Sequence, residues 1–145
     1  MAEALLRKLL PPSLRDQVRV RSAGTQAEPG GPATPRAIAT AGRKGVDLRG
    51  HRAQQLFTDL VAQSDLILGM EQHHVQAVLA LVPSSRGRVH LLSAFDADPQ
   101  SRPEGILDPM GGSPEIYEEC LLRIERQLAR ILPHLEERVV GEHRS

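Results

Sequence analysis

The chain has 145 residues, 40% of them apolar and 25% charged, with a formal net charge of zero. That is enough for one domain with a core of its own, and the balanced charge carries no electrostatic footprint for nucleic acid or an anionic membrane. No apolar run approaches the ~20 residues of a membrane span, and the single cysteine, Cys120, excludes an intrachain disulfide and suits a reducing, cytoplasmic setting.

In chain order, residues 2–10 read as a helix in which Ala4, Leu5, Leu9 and Leu10 share a face, stopped by Pro11-Pro12. Gln17-Val-Arg-Val-Arg21 alternates and is β-branched, which predicts a strand ending at Ser22-Ala-Gly-Thr25. Pro29, Gly30, Gly31 and Pro32 mark a loop; Thr34-Pro35 opens a helix to about Arg43, and Gly45 is its stop. Residues 51–56 and 58–62 take helical readings. Asp65-Leu-Ile-Leu-Gly-Met70 is an apolar run suited to a strand buried on both faces. Residues 71–81 return to helical spacing, Pro83 to Gly87 turns, and Arg88 to Leu92 is a further strand. The longest helix runs from Ser113 to about Glu137, with Ile116, Cys120, Ile124, Leu128, Ile131 and Leu135 as its apolar stripe. Residues 1–138 read as a single domain and 139–145 as a flexible tail. Alternating helices and strands predict an α/β fold with a parallel sheet.

The stretch with the tightest local constraint is Leu107-Asp-Pro-Met-Gly-Gly-Ser113. Pro109 biases Asp108 toward an extended conformation, and Gly111 and Gly112 allow close backbone approach. Ser113 then reads as the N-cap and Pro114 as the first residue of the long helix. A carboxylate on a short restricted loop can be aimed at a substrate, although Asp-Pro turns are common without any such role.

Other candidates are weaker. Cys120 to Arg126 matches the text pattern C-x5-R of cysteine phosphatases, but the residues between are helix formers whose backbone N–H groups are already used. No helix N-terminus lies there to lower the thiol pKa, so Cys120 reads as a core residue. His73 and His74 are neighbours on a helix, do not face one another, and lack partners at metal-ligand spacing. His51 is an orienting group or a cap. Asp96 and Asp98 are a possible acid pair or simply solvated. Arg43, Lys44, Arg49 and Arg52 surround a turn and read as surface, with phosphate steering the weaker option.

Taken together, several stretches resemble the low-molecular-weight protein tyrosine phosphatases. They are Val20-Arg-Ser-Ala-Gly-Thr25; Pro35 with Gly45-Val-Asp-Leu48 and His51-Arg52; Ser64-Asp-Leu-Ile-Leu-Gly-Met-Glu71; and Asp108-Pro-Met-Gly-Gly-Ser113 with Tyr117. The match spans nearly the whole chain in the family's order. The resemblance implies a three-layer, doubly wound parallel sheet and dephosphorylation of phosphoproteins without cofactor or metal. It gives Asp108 the role of general acid, protonating the leaving group while a thiolate forms a phosphocysteine. The Asp-Pro-x-Gly-Gly-Ser form resembles bacterial members, including protein arginine phosphatases, and Met110 stands where animal members carry a tyrosine.

The opening Met1-Ala-Glu-Ala4 resembles the segment that directly follows the family's catalytic loop, C-x5-R-S-P-M-A-E-A. On that resemblance the first strand, the nucleophilic cysteine and the phosphate-gripping arginine lie upstream of Met1, and these 145 residues alone are expected to be catalytically inactive. The missing strand is central, between Val18–Ser22 and Asp65–Met70. A gap, a strained direct pairing of those segments, or a partner chain or second copy at the unpaired edges is the expected consequence.

Overall fold

The computed structural model describes residues 2–25, 30–43, 45–52, 54–95 and 112–144. It is an α/β arrangement in which helices enclose a short parallel sheet.

Helix α1 (Ala2–Leu9) buries Leu5, and Leu10 follows it into the core. The two prolines do more than stop it. Pro11 is extended, and Pro12 starts a single turn, α2 (Pro12–Arg15), where a missing backbone donor costs nothing. Leu14 from that turn is buried, and the Arg15 Nε donates to the Leu10 carbonyl at 3.0 Å.

Residues 18–23 form no regular strand, contrary to the strand predicted over residues 17–21. The alternation that suggested one is nevertheless realised in the side chains: Val18, Val20 and Ser22 are half-buried while Arg19, Arg21 and Ala23 are exposed. What is absent is a ladder. Among the described residues no backbone hydrogen bond joins 18–23 to residues 65–70, so the direct pairing does not form. Instead the Ser22 carbonyl accepts from the Gln54 side chain at 2.7 Å, and Gly24 exchanges backbone bonds with Gln54 and Leu56 at 2.9 and 2.8 Å. This pairing also explains why the helix expected over residues 51–56 does not form. Gln55 is bridged to Gly24 and Arg52 to Pro32, which commits that backbone to tertiary partners.

Helix α3 (Pro35–Arg43) is framed at both ends. Thr34 Oγ1 accepts the Ala37 N–H at 3.2 Å, and Pro35 takes the first helical position. At the other end Gly45, with φ of 74°, bonds back to Gly42 at 3.0 Å, and Val46 to Ala41 at 2.9 Å. This is the Schellman pattern, and Val46 is buried beneath it.

Helix α4 (Thr58–Gln63) is followed by strand β1 (Ile67–Gly69), helix α5 (Gln72–Leu81) and strand β2 (Val89–Leu91). The strands pair in parallel, Ile67 opposite Val89, Leu68 opposite His90 and Gly69 opposite Leu91. Arg88 holds the end of α4 by donating to the Val61 carbonyl at 3.2 Å and to the Ser64 carbonyl. Both strands sit inside the runs predicted for them.

Helix α6 (Pro114–Arg144) has 31 residues and continues through Pro133, beyond the end near Glu137 expected from spacing. Its buried face is Tyr117, Cys120, Leu121, Ile124, Leu128, Ile131 and Leu135. Ile116, expected on that stripe, is 51% exposed. The face packs against α1 and α3, with Leu48 and Leu92, to make the main core; Val61, Val75, Val78 and Val89 form a smaller second cluster. Among the described residues no helix is long and apolar enough to cross a membrane.

Candidate active site

The parallel pair directs attention to one end of the sheet. In open α/β sheets ligands gather beyond the carboxyl ends of the strands. Beyond β1 come Met70 and Glu71; beyond β2 come a short turn, Leu92–Phe95, and the connection that carries Asp108. Asp108 itself, with Pro109, Met110 and Gly111, lies outside the described residues, as do Asp96 and Asp98.

The downstream end of the Asp108 stretch is described, and it is well anchored. Ser113 Oγ accepts the Ile116 N–H at 3.3 Å and the Ser113 carbonyl accepts the Tyr117 N–H at 3.1 Å, so the predicted N-cap is in place. The Arg36 guanidinium, from α3, donates to the Gly112 carbonyl. One turn into α6, the buried Tyr117 hydroxyl lies 3.3 Å from Thr34 Oγ1, the same oxygen that caps α3. Glu115 sits among these groups with its carboxyl held below the usual range, first by its own backbone N–H and then by Ser113, with Arg36 and Arg43 adding attraction. Two helix starts therefore brace Gly112 and Ser113. Spacing marked Ser113 and Pro114 but gave no sign of Arg36 or Thr34, whose partners are 76 and 83 residues away.

Cys120 and Arg126 make no anion site. Cys120 is buried on the core face of mid-helix α6, while Arg126 is exposed roughly 240° further round the helix. The backbone between them is in helix and offers no converging N–H groups.

His51 does orient. Its Nδ1 lies 3.5 Å from Glu3, which also pairs with Arg7 at 3.3 Å; Arg7 in turn donates to the Val20 carbonyl at 2.7 Å. Glu3 and Arg7 thereby link α1 to His51 and to Val20 respectively. The basic residues around the turn are engaged locally. Arg49 grips Asp47 through two nitrogens at 3.0 Å, Arg52 donates to the Arg49 and His51 carbonyls at 3.1 and 2.7 Å, and Arg43 lies 3.9 Å from Glu118. Lys44 lies outside the described residues.

The two adjacent histidines depart from expectation. The His73 and His74 ring centroids are 4.2 Å apart, tilted by 57°. They occupy the first turn of α5, and Glu71 joins them.

Comparison with known proteins completes the picture. The family model for low molecular weight phosphotyrosine protein phosphatase matches residues 1–141. The probable low molecular weight protein-tyrosine-phosphatase EpsP of Ralstonia nicotianae is 36% identical over 135 residues, which cover 93% of this chain and 86% of that protein. The protein-arginine-phosphatase of Bacillus subtilis is 34% identical over 135 residues, 91% of this chain and 87% of its own. The crystal structure of the Erwinia amylovora tyrosine phosphatase AmsI superposes with a TM-score of 0.78 at 32% identity, covering 92% of this chain and 82% of that one. Family model, relatives and solved structures agree, and the chain belongs to the low molecular weight phosphotyrosine protein phosphatase family.

Proposed function

We propose that this chain carries the general-acid side of a phosphoprotein phosphatase site, with Asp108 as the proton donor. In that reading a thiolate attacks phosphorus, the P–O bond to the substrate breaks, and Asp108 delivers its proton to the departing oxygen. Water then hydrolyses the phosphocysteine, with the same carboxylate accepting a proton. The observation that carries the reading is the frame around Asp108. Its sequence has the family form, and its downstream end is braced by Ser113, Arg36 and the Tyr117–Thr34 pair.

The 145 residues contain one cysteine, and it is buried mid-helix with no anion cradle around it. In this reading a family-type C-x5-R segment, which these 145 residues do not contain, supplies the nucleophile and the phosphate-gripping arginine. The test is hydrolysis of p-nitrophenyl phosphate. Purified 1–145 is expected to show no turnover above its Asp108→Ala variant. Adding a family-type strand and C-x5-R loop before Met1 should create activity that Asp108→Ala lowers by roughly 10²–10⁴-fold. Robust turnover by 1–145 that Cys120→Ser abolishes would overturn the assignment.

Phosphotyrosine is the substrate class of this reading. Phosphoarginine is the second, favoured by Met110 in place of a tyrosine and by the similarity to the Bacillus subtilis protein-arginine-phosphatase. Paired assays of the extended chain on phosphotyrosyl and phosphoarginyl peptides separate the two.

A further inference from the structure

We propose that Glu71, His73 and His74 form a binding site for a divalent first-row transition ion of the Zn²⁺ type, independent of the phosphatase reading. Each of the three offers a ligand atom, and these atoms all lie within 4.8 Å of one another. Glu71 Oε2 is 3.7 Å from His73 Nε2. Two imidazoles and one carboxylate are the borderline donor set that suits zinc, nickel or copper, and three protein ligands leave a fourth position for water.

The parts differ in freedom. Glu71 and His74 are half-buried, while His73 is exposed. Metal bonds of about 2.0–2.2 Å require the ligand atoms to draw closer than they stand, and His73 can make that adjustment by rotating its side chain in solvent. His74 Nδ1 accepts the Glu71 backbone N–H at 3.1 Å, so its lone pair is engaged at the helix cap. An ion taking Nδ1 uses that lone pair and exchanges one hydrogen bond at the helix cap for a metal bond.

The backbone is fixed by packing. An ideal Cβ at Gly69 would come within 3.1 Å of His74 Cβ and of Val75 Cγ2, so the start of α5 rests directly on the end of β1. One effect opposes the site: the positive end of the α5 dipole disfavours a cation, and the Glu71 carboxylate is the charge that offsets it.

The test is calorimetric titration of ZnCl₂ into the tag-free full chain, with thermal unfolding recorded alongside. One ion per chain is expected, with a rise in Tm. His73→Ala removes an exposed ligand without touching the core. Glu71→Gln removes the charged ligand but keeps an acceptor oxygen at the cap. Losing a ligand costs at least what losing its outer-shell partner does, so each variant should weaken zinc binding by roughly tenfold or more and abolish the Tm rise. Should Glu71→Gln fail to fold, His73→Ala decides alone. The absence of saturable zinc binding to the parent chain overturns the proposal. So does binding that both variants retain in full, which would place the ion on other histidines.

Discussion

Gly69 is a position where the fold has no room for a side chain. Its virtual Cβ meets His74 Cβ and Val75 Cγ2 at 3.1 Å and the Val75 backbone nitrogen at 3.3 Å. Because one obstacle is backbone, relief requires α5 to move. Gly69→Ala is expected to destabilise the protein by about 1–3 kcal/mol, read from the urea midpoint. Asp47 supplies the pH-dependent case. The Arg49 side chain, and then the Arg49 backbone N–H, pull its carboxyl down from 3.8 to about 2. A folded-state pKa below the unfolded one means the pairing contributes fully above roughly pH 4 and is lost as the pH falls through the lower value. An NMR titration should find the Asp47 midpoint near 2, and Arg49→Gln should return it toward the ordinary value. The two glycines that matter differ in legibility. Gly45 was readable as a helix stop because it ends a periodic segment. Gly69 was not, because inside the apolar run 65–70 nothing reveals that a helix will lean on it.

At the level of elements, α6 is the organising piece and its first turn is the joint with α3. Ser113→Ala removes an N-cap and should cost about 1 kcal/mol. Tyr117→Phe removes the hydroxyl shared with Thr34 and should cost about 0.5–1.5 kcal/mol. A double-mutant cycle pairing Tyr117→Phe with Thr34→Val isolates that contact, since Thr34→Val also strips the cap from α3. The existence of α6 was plain from its apolar spacing; the phase of its stripe was not. Steps of four residues advance about 40° beyond a full turn each, so a face traced backwards from Leu128 through Ile124 and Cys120 has drifted off the core by Ile116. Tyr117 and Leu121 take the inner positions instead. The 18–23 segment gives the converse lesson. Its alternation is matched by the burial of its side chains, whereas a strand in the hydrogen-bonded sense needs a neighbour that its own residues cannot specify. Residues 51–56 do not take the helix their spacing predicts because their partners lie about twenty to thirty residues upstream, beyond any local pattern.

Across the whole molecule, the main core gathers around α6, and the smaller cluster of Val61, Val75, Val78 and Val89 lies between α4, α5 and β2. The smaller cluster buries less apolar surface, so it should open first. Native-state amide exchange in low urea is expected to show α4 and α5 exchanging through a sub-global opening while the Leu121–Ile131 amides exchange only with global unfolding. The family was legible in the sequence because its short motifs recur in order from Val20 to Tyr117, and order over a whole chain is harder to reach by chance than any single motif. The bracing by Arg36 and Thr34 was not, since it depends on how α3 meets α6. That meeting has a consequence for biosynthesis. The apolar faces of α1 and α3 are covered by a helix more than a hundred and about eighty residues later, respectively. A ribosome therefore releases the covering helix after α1 and α3, and until it emerges Leu5, Leu10 and Ala41 lack the cover it gives them. The contacts that complete the main core are long-range in sequence, and such contacts form more slowly than local ones.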